Sequence, residues 1–134
     1  MSMDSKNILL IENCDLDAIL IKESLMQNGA LYNINLLKKR KEIVAHLEDI
    51  LTPKGSDVPD LIIANEELIM HNGVNILAQI GGLANYYIPV IILSSNGPAV
   101  RPLYNKNTCC VISKPLEVSE FLNIIKEIKF NWLL

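Results

Sequence analysis

Polar residues stand directly after two apolar runs, which is where an α/β protein gathers its chemistry. Asn7-Ile8-Leu9-Leu10-Ile11 is followed by Glu12-Asn13, and Pro59-Asp60-Leu61-Ile62-Ile63-Ala64 is followed by Asn65-Glu66-Glu67. Neither run alternates apolar with polar, so each predicts a strand covered on both faces within a parallel sheet. In an open sheet of that kind the carboxyl ends of neighbouring strands carry the site. Glu12, Asn13 and Asn65 are therefore expected together at one edge of the sheet, offering one carboxylate and two amides.

Other chemistries lack their residues. His46 falls on a predicted helix and His71 in the turn after the third strand. Cys14 approaching His71 would supply two soft ligands, too few for zinc. No nucleophile-histidine-acid spacing or Walker loop occurs, and Gly81-Gly82 lacks the surroundings of a dinucleotide fingerprint. The three cysteines, Cys14, Cys109 and Cys110, are an odd number and form no disulfide framework. Adjacent Cys109-Cys110 reads as small apolar residues near a strand, and a reducing cytoplasm is the expected location.

The elements that position Glu12, Asn13 and Asn65 follow from pattern. The 134 residues, half apolar and a fifth charged, predict one domain over 1–134. A net charge of -3 with acids and bases interspersed gives no electrostatic case for nucleic acid or an anionic membrane. No apolar stretch approaches the roughly 20 residues that span a bilayer, and no signal peptide is expected. After the first strand, Asn13 or Asp15 can cap a helix to about Gln27, with Leu16, Ile19, Leu20, Ile21, Leu25 and Met26 at helical spacing. Asn28-Gly29 is its candidate C-cap. Leu31 to Leu37 predicts a strand with Tyr32, Ile34 and Leu36 on one face, and Lys38-Lys39-Arg40-Lys41 reads as a solvated helix start or loop in preference to a binding patch. Ile43, Val44, Leu47, Ile50 and Leu51 mark a second helix.

Beyond an exposed loop over 52–58 and the third strand, Asn72-Gly73 predicts a turn and Val74 through Ile80 a short third helix. Ile88 to Leu93 is a fourth strand, with Pro89 at its start where a missing donor costs least. Pro98 and Pro102 interrupt the next segment, so the fourth crossover helix is expected to be short or irregular. Cys110-Val111-Ile112 is a fifth strand, and a terminal helix over roughly Glu117 to Trp132 presents Val118, Phe121, Leu122, Ile125, Ile128 and Trp132 as its stripe. Five strand-helix units in series predict a doubly wound sheet.

The ordered set Ile8 to Asn13, Pro59 to Asn65, Asn72-Gly73, Ile88 to Ser95 and Lys114-Pro115 resembles the receiver domain of response regulators across essentially the whole chain. The loop before the third strand and the tail from Glu120-Phe121 to Asn131-Trp132-Leu133 resemble stand-alone receivers related to phytochrome-associated regulators. The resemblance implies a flavodoxin-like five-stranded parallel sheet in the order 2-1-3-4-5. It implies that Glu12 and Asn13 stand at the paired acids after strand one, and that Asn65 stands at the phosphoacceptor. Ser94 and Lys114, with Pro115, correspond to the retained hydroxyl and lysine of the pocket, and Val111 to the aromatic switch position.

Two of these departures remove chemistry. The acceptor must be a carboxylate, because its oxygen attacks phosphorus and forms an acyl phosphate. Magnesium neutralises the transferring oxygens and is held by carboxylates, so with Glu12 alone it is expected to bind weakly or not at all. Glu66 and Glu67 read as a solvated loop rather than a relocated metal site. Lys114 is expected to pair with Glu12, and Ser94 to bond locally. The reading is a pseudo-receiver: a non-enzymatic signalling module in the cytoplasm that works by contact with another protein or with itself. The expected face comprises the segment 98–104 with Tyr104, strand five, and the last helix with Phe130, Leu133 and Leu134 exposed. The alternatives are a weak phosphoacceptor using Glu66, Glu67 or Glu12, and a small-anion or ligand sensor using Lys114 and Ser94.

Overall fold

A computed structural model describes residues 6–29, 31–50, 59–71, 74–75, 88–95 and 109–133. The expected loop 52–58, the Asn72-Gly73 turn, Gly81-Gly82 and the proline-interrupted segment with Tyr104 lie outside the described residues, as does the side chain of His71. In chain order the elements are β1 (Lys6–Ile11), α1 (Asp15–Leu25), β2 (Tyr32–Leu37), α2 (Arg40–Ile50), β3 (Leu61–Asn65), α3 (Glu66–Ile69), β4 (Met70–His71), β5 (Val74–Asn75), β6 (Val90–Ser94), β7 (Cys109–Ser113) and α4 (Val118–Ile128). The principal sheet has five parallel strands in the order β2-β1-β3-β6-β7. Counting its long strands alone, this is the expected 2-1-3-4-5.

Uninterrupted apolar strands place side chains alternately into two cores. Leu9, Ile11, Ile62, Ala64 and Ile92 face one way and pack with Ile43 and Leu47 of α2 and Leu68 and Ile69 of α3. Ile8, Leu10, Leu61, Ile63 and Ile91 face the other way, against Ala18, Ile21 and Leu25 of α1 and Phe121, Ile125 and Ile128 of α4. Tyr32, Ile34 and Leu36 of edge strand β2 join this second core, on one face as expected. The Asp60 carboxylate accepts from the Asn7 amide at 2.8 Å while the Asp60 amide donates to the Asn7 carbonyl at 2.7 Å, fixing the register of β1 against β3.

Several expectations are corrected. Helix α1 buries Ala18, Ile21 and Leu25, and leaves Leu16 61% and Ile19 52% exposed. The residues at positions 18, 21 and 25 form one helical face, and docking to the sheet selects it over the alternative apolar face. The helix is entered through Cys14, which makes no side-chain cap bond, so neither Asn13 nor Asp15 is the cap. It ends at Leu25, and a 3₁₀ turn over Gln27–Gly29 follows, in which Gly29 takes a φ of +76°. Only a residue lacking a Cβ adopts that angle cheaply.

Val74 and Asn75, expected to open the third helix, pair antiparallel with Met70–His71 instead, and the rest of that expected helix, 76–80, lies outside the described residues. A single turn at Glu66–Ile69 comes earlier, because the Asn65 side chain accepts from the Glu67 amide and starts it there. At the end of the chain, α4 passes into a π turn over Lys129–Leu133. The extra residue in that turn shifts the helical phase. Leu133 is consequently buried, and Trp132, assigned by spacing to the core stripe, is 37% exposed. Val118 is likewise exposed; of the residues expected to be exposed, Phe130 is, Leu133 is not, and Leu134 lies outside the described residues.

Candidate functional site

The carboxyl ends of β1, β3, β6 and β7 converge on Glu12, Asn65, Ser94 and Lys114. Strand pairing sets them side by side: Ile11 lies opposite Ala64, Asn65 opposite Leu93, and Ser94 opposite Ser113. Glu12 is 1% exposed, Asn65 5% and Ser94 0%, so every polar atom here needs a partner.

Glu12 receives three donors. Lys114 Nζ reaches its Oε1 at 2.8 Å, while Asn65 Nδ2 at 2.9 Å and the Cys14 amide at 3.1 Å donate to its Oε2. Asn65 uses both ends of its amide, because its Oδ1 accepts from the Glu67 amide at 3.0 Å. A carboxylate at position 65 could accept that amide but would face Glu12 with no proton to give, so the asparagine is complementary to the acid beside it. Asn13 is exposed at the rim.

Lys114 also contacts Asp17 Oδ2, at 2.6 Å. Its side chain is 10% exposed, and its backbone amide donates to the Ser94 carbonyl at 2.7 Å. Burial pushes the ammonium down, but the hydrogen bonds and charges of Asp17 and Glu12 together outweigh this and hold it above its ordinary 10.5. Ser94 Oγ donates to Glu66 Oε1 at 2.9 Å, across 28 positions, so its bond is not local. Glu66, 8% exposed, is not in a solvated loop, whereas Glu67 is exposed.

Arg40 supports this arrangement from the first residue of α2. Its Nη2 donates to the carbonyls of Glu67 at 3.0 Å and Met70 at 2.8 Å, and its Nε to that of Leu68 at 3.3 Å. These are carbonyls that a one-turn helix cannot satisfy internally. Arg40 and Lys38, which pairs with Asp15 at 2.7 Å, are therefore both engaged within the molecule.

Sequence reasoning missed Asp17 and Arg40, and named Glu66 without its burial against Ser94. Asp17 was legible in part, since it flanks the stripe formed by Ala18, Ile21 and Leu25. Nothing local marks Arg40, which stood only within a basic run read as solvated. Pro115 follows Lys114 at intermediate burial, and Val111 packs on the first core from β7. Tyr104 lies outside the described residues. His46 approaches Asn35 of β2 at 3.5 Å.

Magnesium does not fit these residues. Both oxygens of Glu12 are already bonded, one of them to an ammonium ion, and the neighbour on β3 presents an amide nitrogen. Among the described residues no group of three or more His, Cys, Asp or Glu side chains is placed to hold a metal. No helix among them is long and apolar enough to cross a membrane.

Sheet order, crossovers and the location of the polar cluster together define the fold of a response-regulator receiver domain, and comparison with known proteins agrees. Response regulator Rcp1 of Synechocystis is 26% identical over 131 residues, spanning 96% of this chain and 89% of that protein. The phosphorylated cyanobacterial phytochrome response regulator RcpA superposes with a TM-score of 0.75 at 26% identity, covering 96% of this chain and 94% of that one. The Mn(2+)-bound form of Rcp1 gives 0.74 at 23% identity with the same coverage. No protein-family model matches the chain.

Proposed function

We propose that this chain is a receiver-fold signalling module that acts through protein contact and does not use phosphorylation at position 65. The observation that carries the reading is the Asn65 amide, with its nitrogen bonded to Glu12 and its oxygen to the Glu67 amide. An amide in that position has no carboxylate oxygen to form an acyl phosphate. The pairing of Lys114 and Ser94 with carboxylates favours this reading over an anion sensor, since both groups that would meet an anion already face acids. The burial of Glu66 against Ser94 counts against its serving as a relocated acceptor.

Relatives named as response regulators, one phosphorylated and one holding manganese, suggest a signalling role for this fold. Contact with a partner protein or a second copy is the output that this reading leaves. Phe130, 72% exposed at the end of α4, is the expected anchor of that face; Leu133 is withdrawn from it because it is buried.

Exposure to acetyl phosphate and magnesium, followed by intact-mass measurement, tests the reading. The wild-type chain should gain no phosphoryl group. A stoichiometric adduct that disappears in Asn65→Ala or Glu66→Gln would refute it.

A further inference from the structure

The misfit of magnesium has a specific cause in this chain. Lys114 Nζ lies 2.8 Å from a Glu12 oxygen and 2.6 Å from an Asp17 oxygen, so two carboxylates on different elements converge on one point. Such convergence is what hard divalent cations require, since they take carboxylate oxygens at about 2.0–2.6 Å. Here the point is filled by a side chain delivered from the end of β7, on a backbone anchored by the bond from the Lys114 amide to the Ser94 carbonyl. The carboxylates are 1% and 24% exposed and the lysine side chain 10%. Left without a cation, the two acids would repel each other at the sheet edge.

We propose that the Lys114 ammonium is a tethered resident cation, occupying the place between Glu12 and Asp17 where a divalent ion would otherwise sit. It thereby makes the folded pocket indifferent to divalent cations. One charge joins three elements: the end of β1, the first turn of α1 and the end of β7. A tethered cation is always present at high effective concentration, so the joint does not open and close with metal supply. This inference rests on the reading of the pocket given above and adds the reason why its carboxylates need no metal.

Melting temperature against manganese and magnesium concentration provides the test, on the full chain. The wild type should show no shift at millimolar metal. Lys114→Met, which keeps length and loses charge, should melt earlier without metal and regain several degrees with manganese. Adding Asp17→Asn to that variant should abolish the recovery, and Lys114→Arg should remain indifferent to metal. If Lys114→Met is unfolded alone, the readout becomes the return of circular dichroism on adding manganese. A wild type that shifts as much as the variant overturns the proposal. So does a variant that gains nothing from manganese, which would make Lys114 a strut and no cation surrogate. Neither outcome involves a phosphoryl adduct, so this failure is distinct from failure of the proposed function.

Discussion

Asp15 and Asp17 stand two residues apart in the first turn of α1, and each bonds a lysine. Asp15 meets Lys38 at 2.7 Å with side chains 75% and 49% exposed; Asp17 meets Lys114 at 2.6 Å with side chains 24% and 10% exposed. The distances are nearly the same. Exposure separates the pairs, and so does Glu12, a second carboxylate on the buried lysine that has no counterpart on the exposed one among the described residues. Water and salt screen the outer pair and already solvate its members when it is broken. The inner lysine cannot leave without exposing two acids to each other in a poorly solvated pocket. Pairing by itself therefore predicts little; burial and the number of charges sharing the site decide what a pair contributes.

The largest effect should come from the inner lysine. Lys114→Ala should cost about 3 kcal/mol in urea unfolding, the lower end for a broken buried pair because the pocket edge meets solvent. The pH dependence has a definite sign. The folded-state value of Lys114 is raised above 10.5, so its contribution is complete below 10.5 and is lost as pH rises through the folded value. The stability gap between wild type and Lys114→Ala should accordingly hold at neutral pH and narrow as pH rises above 10.5.

Asn65→Asp should follow. It replaces the donor that faces Glu12 with an acceptor, and should cost about 2 kcal/mol without metal. Combined with Asn13→Asp, it should gain metal-dependent melting once Lys114→Met has vacated the cation's place, which would extend the contrast by converting the inner site from amide to acid. A double variant more stable than wild type in the absence of metal would show that the amide is not complementary to Glu12.

Ser94→Ala removes a donor from buried Glu66 and should cost about 1–2 kcal/mol. Ser24 offers a control in the α1 core: it is 3% exposed, and its hydroxyl finds no hydrogen-bond partner among the described residues. Ser24→Ala should be neutral or slightly stabilising by thermal melt.

The smallest effect belongs to the outer pair. Lys38 holds the Asp15 carboxyl below 3.8 by hydrogen bond and charge, so its contribution exists above 3.8 and fades as pH falls through the folded value. Asp15→Asn should leave the urea midpoint unchanged within error at moderate salt. A loss comparable with that of Lys114→Ala would break the comparison.

The sheet was legible because β1, β3 and β6 carry unbroken apolar runs, and the two-faced burial of such strands requires helices on both sides. Their order followed from the resemblance; the ends of the runs placed Glu12, Asn13 and Asn65 at its carboxyl edge, and the resemblance added Ser94 and Lys114. The pairing of Lys114 with Glu12 was expected as well. Which helical face α1 would bury was not legible. Leu16 and Ile19 are as apolar as Ile21 and Leu25, and only docking to the sheet distinguishes them. The one-turn helix α3 was missed because Arg40, which takes its carbonyls, lies 27 to 30 positions away.

The sequence alone thus determined the five strands of the principal sheet, its burial on both faces and the chemical types present at the pocket, since these depend on local composition and on period. Tertiary structure decided which acid meets which donor. It brought Asp17 to Lys114 and Glu66 to Ser94, and through the π turn it exchanged Leu133 for Trp132 in the core. Those choices depend on helix phase and strand register, which shift by a residue at little local cost and are fixed only when every buried polar atom must find a partner.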